Sequence, residues 1–130
     1  MVAERQGLEP ITISQKDVRE LQLAKAAIRS GIQALVESEG LLETDLDQVI
    51  LAGAFGTFID VKSAILIGML PSLPLERFTQ VGNAAGTGAR LALISLAERE
   101  KARHIARLDG YIELAKVPNF SRKYAEATYM

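Results

Sequence analysis

Two short stretches constrain this chain more than anything else in it: Val49-Ile-Leu-Ala-Gly-Ala-Phe-Gly-Thr-Phe-Ile-Asp60 and Gln80-Val-Gly-Asn-Ala-Ala-Gly-Thr-Gly-Ala-Arg90. Each is a short apolar run that ends in a glycine-rich turn and is followed by helix-forming sequence. A run of four or five continuously apolar residues is too short for an amphipathic helix and reads as a buried strand. The small residues after it are what a backbone needs where a Cβ would clash with an approaching group or forbid the backbone angles. Two such turns, about thirty residues apart on one expected sheet edge, point to a crevice outside the strand ends. The other reading of these glycines is tight packing of helices onto the sheet; taken together, the two turns favour a ligand.

The rest of the chain frames those turns. Ser14 is placed to cap a helix, with Asp17 three positions on completing a capping box. Val18, Leu21, Ala24 or Lys25, Ile28, Ile32 and Leu35 mark an apolar stripe that carries the helix to about Glu39, where Gly40 stops it. A first strand is expected over Gln48–Ala52, then the Gly53–Thr57 turn. Asp60 caps a short helix through Ile67. A loop follows over Leu70–Pro74, with one helical turn at Leu75–Arg77. The second strand is Phe78–Val81. Asn83 then caps a helix through Ala97, extended or broken towards Arg107. Asp109-Gly110 reads as a turn, Tyr111–Leu114 as an edge strand, and Phe120 to about Thr128 as a final helix. Strands separated by helices imply parallel pairing through right-handed crossovers.

Composition narrows the chemistry. The 130 residues hold no cysteine and one histidine, which removes thiolate catalysis, disulfides and cysteine-ligated clusters from this chain. Fifteen basic against sixteen acidic residues, mixed along the sequence, argue against a nucleic-acid or anionic-membrane surface. No apolar run approaches the ~20 residues of a membrane span, so the expectation is a soluble, cytoplasmic protein. The usual nucleotide fingerprints are absent. Gly53-Ala-Phe-Gly56 lacks the third glycine of the dinucleotide pattern, and Gly82–Gly88 lacks the Lys-Ser/Thr ending of a P-loop. Close backbone approach to a flat, weakly charged group, an adenine or a ribose, is what remains. An interaction or dimerisation module, using the first helix and Phe55, Phe58 and Phe120, is the alternative. A small enzyme built on Lys25, Asp60 or His104 has no base, nucleophile and orienting group gathered in sequence.

Four blocks in order carry a resemblance: Ile13-Ser-Gln-Lys-Asp-Val-Arg-Glu-Leu-Gln-Leu-Ala-Lys-Ala-Ala-Ile28, Leu51-Ala-Gly-Ala-Phe-Gly56, Ile67-Gly-Met-Leu-Pro71 and Val81-Gly-Asn-Ala-Ala-Gly-Thr-Gly-Ala89. From about residue 11 to Phe120 the chain resembles the C-terminal domain of the reductive activators of corrinoid proteins. Those are iron–sulfur ATPases of the acetate-kinase, sugar-kinase, heat-shock-chaperone and actin superfamily. The resemblance implies an α/β half-lobe of an actin-like (ribonuclease H-like) ATPase domain, with helices packed on a small, mainly parallel sheet. Residues 1–10 become a loose, disordered lead-in and 11–130 the subdomain of a larger protein, with Met1 not its natural start.

Position by position, the resemblance implies that Gly53, Ala54, Phe55 and Gly56 belong to the adenosine motif. Gly82, Asn83, Ala84 and Gly86 open the second connecting motif, a small-residue helix at the hinge between lobes. Gln22 and Lys25 match the helix whose polar side chains flank the adenine in the chaperone branch, and Arg29 has the same two readings, ligand contact or solvated helix residue. The implied cofactor is ATP, with Mg²⁺ in the intact protein. The phosphate- and metal-gripping hairpins and the iron–sulfur cluster are assigned by the resemblance to parts of the protein other than this chain, which is not expected to hydrolyse ATP alone. The implied partners are the rest of its own chain and a corrinoid protein or corrinoid-dependent methyltransferase, with a homodimer possible and no nucleic acid or membrane.

Overall fold

The computed structural model describes residue 7, residues 10–108 and residues 110–129. The expected lead-in over residues 1–10 therefore lies, Gly7 and Pro10 apart, outside the described residues, as does Asp109 of the expected Asp109-Gly110 turn.

Helix α1 spans Gln15–Ser38. Its start is the capping box read from sequence: the Ser14 hydroxyl accepts from the Asp17 amide at 3.2 Å, and the Asp17 carboxylate accepts from the Ser14 amide at 2.8 Å. That exchange satisfies two of the amides a helix start otherwise leaves open. It also holds the exposed Asp17 carboxyl below its ordinary pKa, through its hydrogen bonds to the Ser14 hydroxyl first and the Ser14 amide second. Gly40, at φ +69°, ends the helix in the conformation a glycine accepts without strain.

The face α1 buries overlaps only in part, at Lys25 and Ile32, with the stripe its large apolar residues mark. Lys25, Ala26, Ser30, Ala34 and Val36 are buried, whereas Leu21, Leu23 and Leu35 are exposed. Ala26, Ser30 and Ala34 are spaced by four and so lie one above the other. Their small side chains let the helix backbone come close to the body of the domain. The buried Ser30 hydroxyl donates to the Ala26 carbonyl at 2.6 Å, so this polar group costs little where it sits.

Strands β1 (Val49–Ala52) and β2 (Phe78–Gly82) pair in parallel. Between them run α2 (Gly53–Phe58), α3 (Val61–Leu66) and a single helical turn at Leu75–Arg77. The Gly53–Thr57 segment, expected as a turn, is thus the body of a short helix. Asp60 caps α3 as expected, accepting from the Ser63 amide at 2.7 Å. Ala64, Met69 and Leu70 form the buried centre, against which Ile32, Leu51, Ile59, Val61, Ile65, Ile67 and Phe78 pack. Arg77 locks the strand pair from below, donating to the Leu46 carbonyl at 2.7 Å and the Thr44 carbonyl at 2.9 Å.

Helix α4 (Ala84–Ile94) breaks at Ser95, and α5 runs over Leu96–Leu108. The break is stabilised from both sides: the Ser95 hydroxyl accepts from the Glu98 amide at 3.3 Å, and Arg99 Nε donates to the Ala92 carbonyl at 2.9 Å. Tyr111–Leu114 is not a strand. The described sheet has two strands only, and this segment runs into a helical turn at Leu114–Lys116. Among the described residues it has no ladder partner. Helix α6 (Phe120–Glu126) returns to pack on α1, with Lys123 paired to Glu37. No helix among the described residues is long and apolar enough to cross a membrane.

Candidate functional site: two glycine turns at one end of the strand pair

The strand register explains how the two turns meet. Val49 lies opposite Phe78, Ile50 opposite Thr79 and Leu51 opposite Gln80; the register then slips, and Ala52 meets Gly82. The slip absorbs Val81 as an extra residue, as a bulge does. It brings Gly82 level with Ala52, so both chains leave the sheet at the same height and on the same end. Gly53 follows at φ +89° and Gly82 sits at φ +62°, both in the region that side chains disfavour.

The glycines divide by what a Cβ would meet. At Gly53 nothing lies within 4 Å, so its requirement is conformational and the space in front of it is open. At Gly82 the nearest atom is Thr57 Oγ1 at 3.7 Å, which shows how closely the two turns approach. Gly56 is different: a Cβ there would stand 3.1 Å from the Leu51 carbonyl carbon and 3.3 Å from Leu51 Cβ. Its missing side chain seats α2 on β1. Gly86 serves its own helix, since a Cβ would fall 2.5 Å from Asn83 Nδ2. Asn83 Oδ1 accepts from the Gly86 amide at 2.9 Å, which is the expected cap. The packing reading of these glycines thus holds at Gly56, while Gly53 and Gly82 are required by their backbone angles.

Ala54 and Ala84 are exposed at the start of their helices. Phe55 is 66% exposed, and with Ile28, Ile50, Ala52, Gly56 and Leu70 it lines an apolar cavity of about 250 Å³ beside the first turn. One residue that sequence reasoning passed over belongs here too. The Gln80 carboxamide donates to the Gly56 carbonyl at 2.5 Å and to the Ile59 carbonyl at 3.0 Å, tying α2 to β2. A glutamine on a strand carries no sequence signal for that contact.

Gly53, Ala54, Phe55, Gly56, Gly82, Asn83, Ala84 and Gly86 are brought together at this end of the strand pair. Lys25 is elsewhere. It is 3% exposed, its ammonium donates to the Tyr129 carbonyl, and it lies beside Gly68. With Arg29, Lys123 and Glu126 it lines a second cavity, of about 350 Å³. Arg29 pairs with Glu43 at 2.7 Å. Gln22 is half-buried on α1 and lines neither cavity. Lys25, Asp60 and His104 sit on three different elements: Lys25 under Tyr129, Asp60 capping α3, and His104 exposed on α5.

A parallel strand pair opening into glycine turns beneath helices is the half-lobe architecture of actin-like domains, and comparison with known proteins agrees. Over residues 1–130 the chain matches the family described as the C-terminal domain of RACo, the ASKHA domain, and it belongs to that family. It is 46% identical over 114 residues to the corrinoid activation enzyme RamQ of Eubacterium limosum, covering 88% of this chain and 19% of that protein. It is 34% identical over 106 residues to the [Co(II) methylated amine-specific corrinoid protein] reductase of Methanosarcina barkeri, covering 82% of this chain and 18% of that protein. A solved structure named as a reductive activator for corrinoid, iron-sulfur protein superposes with a TM-score of 0.86 at 35% identity, over 94% of this chain and 19% of that one. The chain thus spans about a fifth of the length of these relatives.

Proposed function

We propose that this chain forms the adenosine side of the nucleotide cleft in an ATP-dependent reductive activator of corrinoid proteins. Residues 11–130 act as its C-terminal actin-like subdomain. The observation that carries the reading is the level exit of Gly53 and Gly82 from paired strands, both at positive φ, with open space in front of Gly53. Bare backbone at two adjacent strand ends admits a planar group edge-on, and the neighbouring apolar cavity offers it a face to lie against. Ribose and base are the parts of ATP that such a surface suits. The phosphates and Mg²⁺ call for charge and pre-placed donors, which this reading assigns to the rest of a longer protein together with the iron–sulfur cluster.

In such a protein the task is the one-electron reduction of a cob(II)alamin centre on a corrinoid partner. The electron comes from the cluster, and nucleotide binding drives a change at the hinge. Differential contacts in open and closed states are the only means by which a ligand can shift a hinge, and the Gly82 turn stands where the two lobes meet in this reading.

The test is a chemical-shift titration of the 130-residue chain with adenosine, ADP and ATP, with GTP as control. Affinity is expected to be about millimolar. Shifts centred on Gly53–Thr57 and Gly82–Gly88, similar for adenosine and ATP and absent with GTP, are the expected result. Equal shifts with GTP, or shifts only around Lys25, sink it. The competing reading, an interaction module, draws on the exposure of Phe55 and of Phe58, the latter at 87%. It predicts concentration-dependent self-association in sedimentation, weakened by Phe58→Ser, with no nucleotide response.

A further inference from the structure

The structure assigns a positioning role to Gln80: its carboxamide holds α2 against β2 and so sets the Gly53 turn relative to the Gly82 turn. The inference rests on the adenosine-cleft reading for its functional consequence, but the contact itself stands on geometry. Helix α2 is six residues long, with no side-chain cap at its start. A helix that short has no stability of its own. It keeps its place through Gly56 on Leu51 beneath and through whatever satisfies its last carbonyls. Gln80 does the second job. Both of its amide hydrogens are used, on Gly56 at 2.5 Å and on Ile59 at 3.0 Å. Glutamine is suited to this because one planar NH₂ group donates twice, to two carbonyls that both need a donor.

The position of Gln80 makes the contact a coupling device. It pairs with Leu51 just before the register slip and stands two residues before Gly82. A single side chain therefore links the end of the first turn's helix to the strand that delivers the second turn. Thr57, which donates from Oγ1 to the Gly53 carbonyl at 3.1 Å, approaches Gly82 from the same helix. Displacing α2 from β2 widens the gap between Gly53 and Gly82, and with it the slot between the turns.

Gln80→Glu tests this with nearly unchanged shape. At neutral pH the substituted carboxylate has no donor and faces two carbonyl oxygens, so α2 should detach. Hydrogen exchange at the Ile59 amide, which donates to Phe55 at 3.1 Å, should then quicken about tenfold relative to the unsubstituted chain, on the scale of two modest hydrogen bonds. As pH falls through the substituted carboxyl's titration, raised above the usual ~4.3 by those carbonyls, a neutral acid can donate again. Protection relative to the unsubstituted chain should partly return, which a packing role would not produce. Adenosine titration of the same variant at neutral pH should show affinity weakened about fivefold or more.

Unchanged exchange at Ile59 at neutral pH overturns the tie itself. Faster exchange with unchanged adenosine affinity overturns the positioning role while leaving the cleft intact. An unsubstituted chain that shows no shift at either turn removes the cleft reading, and the positioning role with it, whatever the exchange rates show.

Discussion

The turn after β1 and the turn after β2 both open with a glycine at positive φ, yet the helices they feed are held in opposite ways. After Gly82 the chain is self-sufficient: Asn83 caps α4 from within the same turn, and α4 is exposed along most of its length. After Gly53 no side chain caps the helix. Helix α2 has no cap and only six residues, and it depends on Leu51 beneath Gly56 and on Gln80 from the neighbouring strand. One turn is a property of its own few residues and the other a property of the packed strand pair. The first turn is therefore sensitive to changes at Leu51 and Gln80 that leave the second untouched.

The comparison breaks most sharply at Gly56. Gly56→Val places two methyl groups against Leu51 in a contact already at 3.1 Å for a Cβ. Either β1 or α2 must move, at about 3 kcal/mol, the upper range for overpacking, read as a lowered urea midpoint. A stability loss below about 0.5 kcal/mol would mean that α2 is not seated on β1 in solution.

Asparagine substitutions separate the two glycine conformations. At φ +62°, Gly82 lies where asparagine is tolerated; at φ +89°, Gly53 lies beyond it. Gly53→Asn should cost about 1–2 kcal/mol and Gly82→Asn under about 1 kcal/mol. Equal costs would show that the two turns share one backbone geometry after all.

Within the second turn, Asn83→Ala removes the cap and should cost about 1 kcal/mol. Gly86→Ala should cost a similar amount for a different reason, because its Cβ displaces the Asn83 side chain from 2.5 Å. In the Asn83→Ala background there is no cap left to displace, and Gly86→Ala should instead stabilise by a few tenths of a kcal/mol through helix propensity. The reversal of sign in thermal denaturation is the result to look for; simple additivity would put the clash elsewhere.

What could be read in advance follows the same division between local and distant causes. Ser14 with Asp17, Gly40, Asp60 and Asn83 were legible because a cap is written within four residues. The strands and their parallel pairing were legible from short apolar runs between helices, and so was the meeting of the two glycine turns. The buried face of α1 was not, Lys25 and Ile32 apart. Its determinants, Ala26, Ser30 and Ala34, are small residues whose burial depends on what approaches them, while Leu21 and Leu35 supply the periodicity that pointed to another face. Tyr111–Leu114 has a strand's composition without a ladder partner among the described residues. The register slip after Leu51, the Gln80 contact and the burial of Lys25 under Tyr129, 104 residues away, are all set by chain segments distant in sequence.

A third cap completes the comparison because it carries a charge. Asp60 accepts from Ser63 at the start of α3, as Asn83 accepts from Gly86 at the start of α4. Hydrogen bonding by Ser63, its side chain first and its amide second, with a smaller contribution from Lys62, holds the Asp60 carboxyl below its usual 3.8. In the unfolded chain that carboxyl returns to its ordinary value, so between the two pKa values the unfolded state binds more protons and stability rises with pH. The contribution of the Asp60 cap is thus fully present above about 3.8 and is lost as pH falls through the depressed folded value. Asp17, whose carboxyl is lowered by the same kind of contact with Ser14, titrates with the same sign. The Asn83 cap, being neutral, has no such window. Asp60→Asn keeps a capping side chain while removing the charge, so its stability should match the unsubstituted chain more closely as pH is lowered below 4. Asp60 is fully exposed, and this is the smallest effect of the set. A difference between the two chains that stays constant from neutral pH down to 3 would show that the cap acts through shape alone.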